Sequence, residues 1–139
     1  YYGMPQSCTG LELNAVPCVL RHPGGENAGT RFASWLYNTD VTATMLSLLG
    51  LPDKPGMDGE DFWPAIGAGA EFRDHAVVGH GEFVSAWEDD WLYLVDTQRG
   101  DVALYHLGED PFRQEDVSER YPADRHRLRE RVESLTGSA

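Results

Sequence analysis

The chain has 139 residues, a formal net charge of −12, and 23 acidic residues against 11 basic ones. That length suits one domain or one part of a larger protein. The acidity argues against nucleic acid and anionic membranes as partners, because both need a basic surface to displace counterions.

No apolar run approaches the roughly 20 residues needed to cross a bilayer, and Tyr1-Tyr2-Gly3-Met4 has neither the basic nor the apolar part of a signal peptide. The chain begins without Met and reads as a piece that starts within a longer protein. Cys8 and Cys18 cannot build a disulfide framework, and there is no C-x-x-C.

Residues 1–15 carry Gly3, Pro5 and Gly10 among scattered polar residues and read as a loop. Val16-Pro17-Cys18-Val19-Leu20-Arg21 is short and mostly apolar, as in a strand covered on both faces, and His22-Pro23-Gly24-Gly25 stops it. Thr39 or Asp40 offers a side-chain oxygen to cap a helix. Val41, Met45, Leu48 and Leu49 then share one face, and Gly50 with Pro52 ends the helix. Residues 61–66 predict a second, short helix, with Gly67 and Gly69 as a hinge between two subdomains.

Beyond His75 the pattern changes to short strands and turns. Residues 76–79, 82–87, 91–96 and 102–107 predict an antiparallel meander of three or four strands. Residues 122–135 predict a helix opened by Pro122, with Leu128, Val132 and Leu135 along one stripe. Laid across the sheet, it would bury both apolar faces.

Five stretches occur in a telling order: Val16-Pro17-Cys18-Val19-Leu20-Arg21-His22-Pro23-Gly24-Gly25, then Thr39-Asp40-Val41-Thr42-Ala43-Thr44-Met45-Leu46-Ser47-Leu48-Leu49-Gly50-Leu51-Pro52, then Met57-Asp58-Gly59-Glu60-Asp61-Phe62-Trp63-Pro64, then Arg73-Asp74-His75, and finally Ala103-Leu104-Tyr105-His106-Leu107-Gly108-Glu109-Asp110-Pro111. Together they resemble the C-terminal half of the sulfatase family of alkaline-phosphatase-like hydrolases. The resemblance implies an α/β fold, of which residues 1–69 would supply the last core strand and a covering helix. Residues 70–139 would form the small α+β subdomain. It further implies hydrolysis of sulfate esters, a small-molecule sulfate or phosphate ester as partner, and a divalent metal, usually calcium, in the full-length enzyme.

The family's nucleophile arises in a C/S-x-P-x-R motif, and neither Cys8-Thr9-Gly10-Leu11 nor Cys18-Val19-Leu20-Arg21 matches it. Its second metal motif precedes the strand that residues 16–21 resemble. The fragment alone is therefore expected to be inactive and to bind no metal. Gly79-His80-Gly81-Glu82 echoes a metal motif but lies on the wrong side of that strand, with glycine in the carboxylate's place. His80 stays a substrate-binding candidate, and so does His22 at the end of the expected strand. The acidic pairs Asp89-Asp90, Glu109-Asp110 and Glu115-Asp116 lack the spacing of a calcium loop. The arginines at 125, 127, 129 and 131 read as surface ion-pair partners. A phosphodiesterase or phosphonate hydrolase of the same superfamily, or a non-catalytic binding module, are the alternatives.

Met4 stands where the family's Gly-Lys-Pro places an anion-contacting lysine, and a thioether cannot donate a hydrogen bond. In the full-length protein, Met4→Lys should tighten sulfate inhibition by about tenfold through one charge-assisted hydrogen bond. A lysine at Gln6 is the control. An equal change at both positions places residue 4 outside the pocket.

Overall fold

The computed structural model describes residues 14–52 and 54–136. They divide into two compact units, one of residues 19–74 and one of residues 75–136 together with 14–18. Residues 70–74 thus go with the first unit, where Phe72 and Arg73 donate their amide N–H groups to the Ser34 hydroxyl at 3.2 and 2.8 Å.

The expected core strand over residues 16–21 is not formed. This segment is irregular, with Val16 66% and Val19 93% exposed. A strand exists only by pairing its amides and carbonyls with a neighbour, and the described strands pair with one another instead.

In the first unit, helix α1 spans Asn38–Leu48 and helix α2 spans Trp63–Ala68. Asp40 sits at the third position of α1 and accepts the Tyr37 amide at 2.6 Å, tying down the entry to the helix. At the other end Gly50 takes φ 66°, Leu51 bonds back to the Leu46 carbonyl at 2.9 Å, and Gly50 bonds to Ser47 at 2.9 Å. That is a Schellman stop, which needs a residue free to adopt the left-handed conformation. Helix α2 ends the same way at Gly69, two residues later than residues 61–66 predicted. Asp61 accordingly lies before the helix, accepting the Trp63 amide at 2.9 Å.

The buried face of α1 differs from the apolar stripe expected. Asp40, Ala43 and Thr44 are inside, while Met45 is 44% and Leu49 65% exposed. The reason is polar bookkeeping. The segment leading to α2 crosses this helix with amides to satisfy, so Glu60 donates to Asp40 Oδ1 at 3.0 Å and Phe62 to Thr44 Oγ1 at 3.0 Å. The crossing is very close: a Cβ on Gly59 would lie 2.1 Å from the Thr39 carbonyl oxygen. Phe62, 2% exposed, then packs between Phe32 and Phe72 with ring centroids 6.2 Å from each.

The second unit is the predicted meander. Strands β1 (His75–His80), β2 (Phe83–Glu88), β3 (Trp91–Asp96) and β4 (Val102–His106) pair antiparallel in the order β1-β2-β3-β4. Helix α3 spans Pro122–Thr136. The register aligns Val77, Ala86, Tyr93 and Leu104 in one row across all four strands. Leu128 and Val132 of α3 pack on this row with Val117. Leu135 ends the predicted stripe outside, 58% exposed. The opposite face carries Ala76, Trp87 and Leu92, all buried too. Period-2 alternation is what delivers each set to its own face.

The arginine series is more than a solvated surface. Arg127 and Arg131, one turn apart, converge on Glu88, which is 8% exposed, with Nε–Oε1 and Nε–Oε2 distances of 2.7 and 3.1 Å. Residues four apart share a helix face, so one carboxylate at the end of β2 fixes the register of α3 on the sheet.

Replacing Gly59 by alanine forces the crossing segment off α1 and should cost about 1–3 kcal/mol, as overpacking does. Gly67→Ala, inside α2 with nothing within 4 Å of its Cβ, should be neutral or gain up to about 1 kcal/mol of helix propensity. Urea unfolding of both variants measures this; equal effects would show that the close crossing is not retained in solution.

Candidate functional site

The loop after residue 21 is built of consecutive turns. Gly25 bonds to the His22 carbonyl at 3.0 Å, Ala28 to Gly25 at 3.2 Å and Thr30 to Asn27 at 3.2 Å. Gly25, Asn27 and Gly29 take φ values of 74°, 54° and 79°, which glycine and asparagine accept most readily. These turns bring His22 and Glu26 together, with Nδ1 and Oε2 4.0 Å apart. Trp63, held at the start of α2, completes the group. Its ring centroid is 5.5 Å from that of His22, tilted by 35°, and its Nε1 donates to Glu26 Oε1 at 3.4 Å.

Two buried polar atoms of this loop, His22 Nδ1 and Asn27 Nδ2, have no hydrogen-bond partner among the described residues. Most buried polar groups are satisfied, so exceptions call for a reason. A Cβ on Gly24 would meet His22 Nδ1 at 3.3 Å, so a small residue is needed for the ring to lie where it does.

What holds α1, and with it this unit, is an ion pair. Arg73 donates from Nη1 to Asp40 Oδ2 at 2.6 Å and from Nη2 to Oδ1 at 3.3 Å, a bidentate contact. Asp40 is fully buried and also accepts the Tyr37 and Glu60 amides. The guanidinium lies 4.5 Å from the Tyr37 ring centroid and 4.8 Å from that of Phe72. Burial alone would raise the Asp40 carboxyl, but Arg73 and the two amides outweigh it and hold it below its ordinary 3.8. Burial alone would likewise lower Arg73, and Asp40 reverses that. Both residues lie inside the quoted stretches, yet the sequence reading assigned neither a partner. An arginine distant in sequence from an acidic first helical turn was the available signal.

The candidates named from sequence fall in different parts of the chain. Met4 lies outside the described residues. His22 lies in the first unit and half-buried. His80, in the second, ends β1 exposed and pairs with Phe83 across the Gly81-Glu82 turn. No group of three or more His, Cys, Asp or Glu side chains able to hold a metal occurs among the described residues, so these residues do not fit the calcium centre that the resemblance implies. Two of the acidic pairs work as backbone acceptors instead. Asp110 takes the amides of Gln114 and Glu115, and Asp116 those of Leu104 and Ser118. A cleft of about 510 Å³ between α3 and the sheet is lined by Tyr93, Arg125, His126 and Arg129. Each of its basic groups faces a carboxylate: Glu119, Glu130 and Glu133 respectively. No described helix is long and apolar enough to cross a membrane.

Because the folded Asp40 titrates below its unfolded value, its stabilisation is complete above about pH 4 and lost as pH falls through the folded value. Asp40→Asn should cost about 3–5 kcal/mol at pH 7, leaving Arg73 buried without a counter-charge. The gap in urea midpoint between wild type and variant should close as pH drops below 4. A gap independent of pH would show that the carboxylate's charge is not what stabilises the unit.

No protein-family model matches the sequence, and no curated protein does. Solved structures do. Ps i-CgsB gives a TM-score of 0.58 at 21% identity, over 79% of this chain and 26% of that one. BT4656, solved in complex with its substrate D-glucosamine-2-N,6-O-disulfate, gives 0.60 at 14% identity, over 69% and 23%. YidJ from Bacteroides fragilis, which carries the designation sulfatase, gives 0.56 at 16% identity, over 69% and 23%. The chain spans about a quarter of the length of the solved structures it matches. The chain carries the fold of the C-terminal part of sulfatases.

Proposed function

We propose that the chain is the C-terminal portion of a sulfatase-type hydrolase, acting on a sulfate ester of a sugar. The observation that carries this reading is the likeness to solved sulfatases, across both the α1–α2 region and the meander in the sequence motifs and across about 70–79% of the chain in structure. The sugar follows from the neighbours: BT4656 is described with a sulfated glucosamine, and Ps i-CgsB with k-i-k-neocarrahexaose.

The nucleophile and metal ligands belong, in this reading, to a part of the enzyme outside these 139 residues. The absence of a C/S-x-P-x-R motif from the sequence supports that. The role left to this chain is structural and recognitive: Asp40, Thr44 and Gly59 lock α1 to the following segment, and the loop over residues 22–30 presents polar and aromatic side chains on that rigid base.

Two assays test the reading. The 139-residue chain, given an aryl sulfate and calcium, should show no turnover above buffer; turnover abolished by a chelator overturns the assignment of chemistry to another part. The full-length protein should release sulfate from N-acetylglucosamine 6-O-sulfate. Preferential cleavage of a phosphodiester would replace the sulfatase reading with a phosphodiesterase.

A further inference from the structure

We infer that His22, Glu26 and Trp63 form a subsite for a neutral, hydroxyl-bearing sugar ring, distinct in chemistry from any site that holds the sulfate. The inference rests on the proposed function for its substrate class. Its substance comes from what the three side chains offer.

Trp63 supplies an aromatic surface at the start of α2, fixed by the Asp61 contact to its amide and by its indole bond to Glu26. A sugar presents an apolar C–H face, and an indole is amphipathic enough to meet it while remaining wet at one end. Glu26 is 59% exposed and keeps Oε2 clear of the indole contact. An ionised carboxylate only accepts hydrogen bonds, and a sugar hydroxyl is a donor. His22 is 26% exposed although its Nδ1 is buried, so the open part of the ring is the edge away from Nδ1. That edge carries Nε2. A Glu26 shift of about 1 Å brings Oε2 within hydrogen-bonding range of Nδ1. Its proton would then sit on Nδ1 and leave Nε2 an acceptor for a second hydroxyl.

The same set rejects anions. No arginine or lysine pairs with Glu26 in the contacts of this cluster, and a sulfate placed beside its carboxylate would meet like charge. His22 is thereby moved from the sulfate, where the sequence reading had it as a general substrate contact, to an uncharged part of the ligand. A cation is the competing ligand for a carboxylate beside an indole, and the choice of probes separates the two.

The experiment is a titration of the isotope-labelled 139-residue chain, reading the four tryptophan indole N–H resonances. N-acetylglucosamine should move the Trp63 signal and leave those of Trp35, Trp87 and Trp91 in place. Glu26→Gln, at an exposed side chain, should weaken that binding by about tenfold, the worth of one charge-assisted hydrogen bond. N-acetylglucosamine 6-O-sulfate should bind more weakly than the parent sugar, with the difference shrinking in Glu26→Gln. An unmoved Trp63 resonance, tighter binding of the sulfated sugar, or tighter binding of cationic glucosamine each overturns the inference. A full-length protein that hydrolyses sulfate esters while Trp63 ignores the sugar would leave the proposed function standing and remove this subsite alone.

Discussion

Everything in the first unit leans on one buried carboxylate. Asp40 has no exposed surface, and each of its contacts does a separate job: Tyr37 starts the helix, Glu60 pins the crossing segment, and Arg73 brings in the chain's return. Removing water from a carboxylate is costly, and only several donors together make it tolerable. Ser34 reinforces the same closure by taking two amides from Phe72 and Arg73 and donating to the Arg73 carbonyl. Three segments distant in sequence are thus joined through polar groups, and the aromatic cluster around Phe62 fills the space they enclose.

This ties together the quoted stretches that lie between residues 39 and 75. Threonine and aspartate in the first turns of a helix, a glycine in the segment that crosses it, and an arginine at the return are parts of one closure. Thr44 and Asp40 accept amides that would otherwise be buried unpaired. Gly59 permits the approach, and Arg73 neutralises the charge. Motifs that read as a family signature are, on the physical level, a solution to burying backbone beside a helix.

Local elements were the legible part. The Gly50 stop, the four strands and the proline-opened α3 all follow from turn chemistry and short-range periodicity, because their causes lie within a few residues. What failed depended on tertiary partners. Residues 16–21 have the composition of a buried strand but no neighbour to pair with among the described residues. The apolar stripe of Met45 and Leu49 predicted the wrong inner face for α1, since hydrogen-bonding demand from residues 57–62 outranked hydrophobicity. Arg127 and Arg131 looked like surface charges because nothing in the sequence places Glu88 opposite them. Of the site, His22 was visible as a strand-end residue, whereas Glu26 and Trp63 gained meaning only when the turns over residues 22–30 brought them together.

The meander has a kinetic side. α3 follows the last strand only after residues 107–121, whereas each strand of the row Val77–Ala86–Tyr93–Leu104 pairs with its immediate successor across a short turn. Closing such loops costs little chain entropy, so sheets of this kind form quickly compared with those joined by long crossovers. The first unit differs: its return contact joins residues 33 positions apart and cannot form until the chain between them is compact. The meander is therefore positioned to form early, while the Asp40–Arg73 closure, like the docking of Arg131 on Glu88 43 positions away, comes late. Within one chain, the region with the most sequence-local contacts is the one best suited to start its assembly.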